Sequence, residues 1–84
     1  MTQDQFNKAA KIINKSSEIE FNKFHIEEAK KEGNLRLFIT NLNNKGDFPL
    51  FNEILPIPVE TLIDMYLISA DKKIIELEKE FEKL

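Results

Sequence analysis

The chain has 84 residues, 42% hydrophobic and 32% charged, with a formal net charge of −3. This length supports one globular domain, 1–84, whose apolar content is too high for a disordered chain. The absence of cysteine excludes disulfides and thiolate metal sites, no apolar run reaches the ~20 residues that span a bilayer, and the net acidity argues against duplex DNA as a partner. We therefore expect a cytoplasmic protein.

Charge is divided unevenly along the chain. Residues 1–45 hold eight basic and six acidic side chains, a net charge of +2, whereas residues 46–84 hold four and nine, a net charge of −5. Attraction between the two halves within a dimer is the simpler consequence. A small anionic ligand bound by the N-terminal half is the alternative.

A long N-terminal helix is predicted over residues 1–32. Thr2 and Gln5 have the spacing of a capping box, and lysines before Gly33 are typical of a helix end. Isoleucines recur every seven residues, at Ile12, Ile19 and Ile26. This spacing favours an amphipathic helix.

Two alternatives remain for the middle of this helix. Ser17 and Glu20 repeat the capping-box pattern, so the helix is kinked or restarted within residues 14–17 in the first alternative. In the second, residues 18–26 form a strand, because they are rich in β-branched and aromatic side chains. Their apolar positions change phase midway, which favours the helix.

A β-hairpin is predicted over residues 34–55. Alternating side chains in "NLRLFITNL" indicate one strand, and "FPLFNEIL", residues 48–55, is its natural partner. The intervening "NNKGD" contains residues that tolerate a hairpin turn. Pro49 cannot donate a ladder hydrogen bond, so the second strand is expected at an edge.

A C-terminal helix is predicted over residues 58–84, with Pro58 in its first turn. Apolar residues recur in a heptad pattern along it, at Ile63, Leu67, Ala70, Ile74, Leu77 and Phe81. This seam either packs antiparallel on the N-terminal helix or joins two copies. We assign it to an oligomer interface, within an α+β fold of two long helices and a short hairpin.

Catalytic and metal-binding motifs are missing from the sequence. The single histidine, His25, has no second ligand at a metal-binding spacing, and the Ser16 and Ser17 pair lacks the glycines of a nucleophile elbow. The helical glutamates have the density of a solvated face. We expect no enzyme activity, no cofactor and no metal.

One cluster combines cationic groups, amide donors and an aromatic ring, the groups that bind phosphates and bases. Its members are Lys30, Lys31, Arg36, Thr40, Asn41, Asn43, Asn44, Lys45 and Phe48. We assign it to ligand binding. Turn formation and core packing explain most of the same residues.

The pattern of "FNKAAKII", "LRLFITNL" and the final "LPIPVETLIDMYLISADKKIIELEKEFEKL" resembles small accessory proteins of bacteriophages. The resemblance implies a binding function in the host cytoplasm, in some relatives as sponges that sequester cyclic nucleotide signals of bacterial immunity. Our first hypothesis is a homo-oligomer that sequesters a small anionic ligand. The alternative is an interaction module that docks on a host or virion protein through its apolar helix or hairpin edge.

Overall fold

A computed structural model describes residues 2–33, 35–43 and 45–84. The elements follow in the order α1 (Gln3–Glu32), β1 (Leu37–Asn41), β2 (Gly46–Leu50) and α2 (Val59–Glu82). The α+β fold of two long helices and a hairpin is therefore confirmed. The molecule is elongated, with extents of 52 × 30 × 21 Å.

Helix α1 begins with the predicted capping box. The Thr2 hydroxyl accepts a hydrogen bond from the Gln5 amide at 3.1 Å, and the Gln5 side chain accepts one from the Thr2 amide at 2.9 Å. The helix is continuous through residues 14–17, so both the break and the strand at 18–26 are wrong. It ends at Gly33, whose φ of 76° suits glycine.

The hairpin is shorter than predicted. Its antiparallel register pairs Leu37 with Leu50 and Ile39 with Phe48. The second strand was expected at 48–55, but it covers Gly46–Leu50, and the chain turns immediately afterwards through a hydrogen bond from the Ile54 amide to the Phe51 carbonyl. The pairing starts two residues earlier than predicted, where Gly46 lies opposite Asn41. The loop between the two strands is therefore shorter than expected. The predicted boundary at Asn34 lies outside the described residues.

Helix α2 starts one residue later than predicted. Pro58 is the N-cap, with ψ of 145°, rather than a residue of the first turn. Its carbonyl accepts hydrogen bonds from the amides of Thr61 and Leu62. The extended conformation of Pro58 places it just outside the helix, where its missing N–H still costs no helical hydrogen bond.

The two helices pack antiparallel, and their contact is the core of the molecule. The buried side chains are Ala9 from α1 and Val59, Ile63, Ala70, Ile74 and Leu77 from α2. The assignment of the α2 seam to an oligomer interface is thereby corrected, because four of its six residues are buried against α1 of the same chain. Leu67 is half-buried and Phe81 remains 42% exposed.

Two ion pairs hold the register of the helices. Lys23 contacts Asp71 at 2.7 Å, and Lys30 contacts Asp64. Each partner is one heptad further along its own helix, in opposite directions, as antiparallel packing requires. The hydrogen bond to Asp71 raises the pKa of Lys23 above its ordinary value of 10.5. The Lys23 ammonium therefore persists at neutral pH, and on the alkaline side the pair is lost as the pH rises through that raised pKa.

Adjacent isoleucines on α2 provide a test of this core. Ile74 is 8% exposed and Ile75 is 51% exposed. We expect Ile74→Ala to lower the free energy of unfolding by about 2–4 kcal/mol, because it leaves a cavity between the helices. Ile75→Ala should cost less than about 1 kcal/mol, since its side chain is already half in water. Urea denaturation of both variants measures the difference; equal losses would contradict this packing.

Candidate functional site

The β-hairpin has no covering element in the described part of the chain. Its two strands pair with each other, and the helices pair with each other, but the strands make few contacts with either helix. A two-stranded hairpin is marginally stable in water unless a helix or a third strand covers one face. This hairpin therefore presents both faces and both edges to a partner.

Apolar side chains occupy both faces of the hairpin. Ile39 lies directly opposite Phe48 on one face, and Phe38 lies opposite Pro49 on the other. Ile39, Phe48 and Phe38 are 57%, 53% and 55% exposed. Leu37 and Leu50, at the helical end of the first face, are half-buried. The uncovered apolar surface thus begins near the helices and continues along the projecting part of the hairpin.

The polar residues at the tip form the turn. The Thr40 hydroxyl donates to the Asp47 carboxylate at 2.8 Å, and the Asn41 side chain accepts a hydrogen bond from the Asn43 amide at 3.0 Å. Lys45 has a φ of 55°, the left-handed conformation common in tight turns. Asn44, also predicted to bind a ligand, lies outside the described residues. For the other four predicted site residues, this turn chemistry accounts for their positions.

The basic residues predicted to bind a ligand are separated in the structure. Lys30 is engaged by Asp64. With Lys31 it borders a shallow groove that also contains Glu27 and Leu67. Arg36 lies beyond the end of α1 and borders two other grooves, while Phe48 is on the hairpin. The predicted cluster is therefore divided among the helix end, the connecting segment and the turn.

The larger groove beside Arg36 has a volume of about 370 Å³ and lies where α1, α2 and the start of β1 meet. Its lining is mostly apolar: Ile26, Ala29, Leu35, Leu37, Leu62, Ile63 and Tyr66. The Tyr66 hydroxyl donates to the Asn22 side chain at 2.8 Å, which fixes the ring at the groove. Arg36 forms no ion pair with any described residue. A guanidinium thus borders an apolar groove.

Sequence reasoning missed this groove and the exposure of the hairpin. No local pattern places Tyr66 beside Arg36, and the alternation of side chains in β1 indicates a strand without showing whether either of its faces is covered. Exposure depends on where the helices run after the hairpin. One signal for the exposure of the hairpin was available in the sequence. Strand β1 has apolar residues at successive positions, and its partner strand contains Pro49, a residue that marks an edge strand.

The remaining chemical candidates form no site among the described residues. No group of three metal-ligating side chains occurs there. His25 instead packs edge-on against Phe21 and Phe24, with ring centroids 4.4 and 5.5 Å away. Within the same residues, no helix is both long and apolar enough to cross a membrane.

Comparison with known proteins found no matching family model, no matching curated protein and no matching solved structure.

Hydrogen exchange tests whether the hairpin is uncovered. In the isolated protein, we expect the amides of β1 and β2 to exchange within about tenfold of the rate of an unstructured chain, because no third strand or helix protects them. Amides near Ile63 and Ile74 should exchange orders of magnitude more slowly. Exchange monitored by NMR distinguishes the two regions, and equal protection would show that the hairpin folds as one unit with the helices.

Proposed function

We propose that this protein is a non-catalytic protein-binding module and that its β-hairpin is the contact element. The observation that carries the proposal is a two-stranded hairpin with exposed apolar residues on both faces. Burying those faces against a partner supplies the stabilisation that the hairpin lacks alone. We place this interaction in the cytoplasm, for which a cysteine-free chain is suited.

The two edges of the hairpin differ in a way that selects the binding mode. Strand β2 contains Asp47 and Pro49, and charged residues and proline are the devices that protect an edge from pairing. Strand β1, "LFITN", contains neither. The open edge is therefore that of β1.

We infer that the partner adds an extended segment to the β1 edge. Main-chain hydrogen bonds provide affinity in this mode, and alternate side chains provide specificity. The Ile39 side of the hairpin would contact one set of the partner's side chains and the Phe38 side the other. A segment with apolar residues on both faces matches this surface.

Capture followed by reconstitution tests the proposal. Ile39 and Ile75 have similar exposures of 57% and 51%, on the hairpin and on α2. A protein captured from a lysate of the source cells is purified and titrated against wild type, Ile39→Asp and Ile75→Asp by calorimetry. We expect Ile39→Asp to weaken binding at least about tenfold, because a carboxylate would be buried in the contact. Ile75→Asp should bind like wild type.

Comparison of Ile39→Asp with the control Ile75→Asp shows whether the hairpin is the contact surface. Equal affinities for the two variants would remove the hairpin from the binding surface. Hydrogen exchange of the purified complex adds a second criterion, since a strand added to β1 must slow the exchange of hairpin amides.

Sequestration of a small anionic ligand is a second candidate, supported by the groove beside Arg36. Its volume of about 370 Å³ is within the range of small-molecule sites. Tyr66 offers a ring for stacking and Arg36 a planar fork for phosphate. A nucleotide has both groups that this pairing recognises, in keeping with the nucleotide signals that the phage resemblance implies.

A thermal-shift panel of linear and cyclic nucleotides tests this second candidate. A ligand that binds the native state must raise the melting temperature, by mass action. We expect Arg36→Leu to abolish the shift and Lys72→Leu, on the exposed surface of α2, to retain it. No shift at millimolar nucleotide, or an equal shift in both variants, would exclude the groove as a nucleotide site.

A further inference from the structure

A second exposed apolar surface runs along α1, away from the hairpin. Residues 6, 10, 13, 17, 20 and 24 recur at alternating intervals of four and three, so they lie on one face of the helix. We call this face the α1 stripe; its members are Phe6, Ala10, Ile13, Ser17, Glu20 and Phe24. The residues of α1 that face α2, such as Ala9 and Ile12, form a separate row beside it.

The large apolar residues of the stripe are exposed. Phe6, Ile13 and Phe24 are 60%, 52% and 57% exposed, and Phe21 beside them is 68% exposed. Phe21 and Phe24 also make edge contacts with His25, so three rings lie together at this end of the stripe. Aromatic side chains are enriched at protein interfaces.

The accessible surface of this chain is larger than that of a compact monomer of the same mass. The accessible surface is 7024 Å². A compact monomer of 9.8 kDa has about 5,200 Å². The excess of about 1,800 Å² per chain includes the uncovered hairpin as well as α1, and obligate dimers bury about 1,000–2,500 Å² on each partner. The radius of gyration agrees, at 16.7 Å against about 12 Å for a compact chain of this length.

The order of residues in the stripe matches a second copy in the antiparallel direction. The pattern is symmetric about residue 15, since Phe6 and Phe24 are equally distant from it, as are Ile13 and Ser17. A two-fold axis at that point places each phenylalanine against the other phenylalanine of the second copy. It also places each isoleucine against a serine, a large side chain against a small one.

The groove next to the stripe supports the same fit. It has a volume of about 330 Å³ and lies between the first half of α1 and the end of α2. Its lining combines apolar, hydroxyl and acidic side chains: Ile12, Ile13, Ser16, Ser17 and Glu20 on α1, and Leu77, Glu78, Phe81 and Glu82 on α2. The two serines leave space that Ile13 of a second copy would fill, and the same axis places Glu20 of the stripe against the small side chain of Ala10 of the second copy.

We propose that two copies of this chain associate through the α1 stripe to form an antiparallel four-helix bundle. The interface is isologous, because the same stripe serves both copies. Since the two α1 helices run in opposite directions, the two hairpins project from opposite ends of the bundle. The dimer is therefore a bivalent binder if each hairpin engages a partner, although the dimer itself does not depend on hairpin binding.

The solution mass is the first test. Light scattering coupled to size exclusion should give twice the 9.8 kDa chain mass for wild type. Ile13→Glu should give the monomer mass, and Ile75→Glu, a matched change at a site of similar exposure on α2, should remain a dimer. A wild-type monomer, a larger assembly, or a dimer lost in Ile75→Glu but kept in Ile13→Glu would overturn the proposal.

Cysteine cross-linking tests the direction without requiring that a monomeric variant folds. The chain has no cysteine of its own. A mixture of Phe6→Cys and Phe24→Cys chains should oxidise to a mixed disulfide dimer. Either chain alone should not, because like positions are about 27 Å apart at 1.5 Å per residue and a disulfide needs Cα atoms within about 7 Å. Efficient cross-linking of Phe6→Cys alone would overturn the antiparallel arrangement.

Failure of this proposal is distinguishable from failure of the proposed function. Ile39→Asp should retain the dimer mass while it loses partner binding. Ile13→Glu should lose the dimer while each hairpin retains its own affinity for the captured protein.

Discussion

The narrow seam between α1 and α2 is the contact on which the rest of the structure depends. It brings together the ends of α1 and α2 from which the hairpin projects. Its buried members are small or branched, and two of the positions on α1 that face α2 are Lys23 and Lys30, which pair with aspartates instead of filling a core. Ion pairs at half-exposed positions set register but contribute little net stability. The chain therefore holds its helices together with few fully buried side chains.

A thin core explains why so much apolar surface is left over. An 84-residue chain arranged as two long helices and a projecting hairpin cannot wrap around itself, so aromatic residues on α1 and on both strands stay exposed. Monomeric proteins rarely expose contiguous apolar patches of this kind unless the patches bind something. The two patches differ in character. One is a helical face with internal symmetry, suited to a second copy, and the other is a strand pair with one unprotected edge, suited to an extended segment of another protein.

The candidate site was only partly predictable from sequence. Arg36 was grouped with Lys30 and Lys31 in one ligand-binding cluster, but it borders an apolar groove away from them, and Lys30 is engaged by Asp64. The aspartate is 34 residues away in the chain, so no local pattern reveals the pairing. Thr40, Asn41 and Asn43 were singled out for their polarity, yet their hydrogen bonds show that the turn itself uses them.

The sequence by itself determined the elements, because capping at Thr2, the termination at Gly33, the alternation of β1 and the heptad spacing of α2 are all local or periodic properties of the chain. Only the tertiary structure decided that the α2 seam packs on α1 of the same chain. The apolar surface that stays exposed is therefore that of the α1 stripe and the hairpin. The physical reason is that a heptad pattern specifies a contact between helices without specifying which helix, and that choice depends on where the hairpin directs α2.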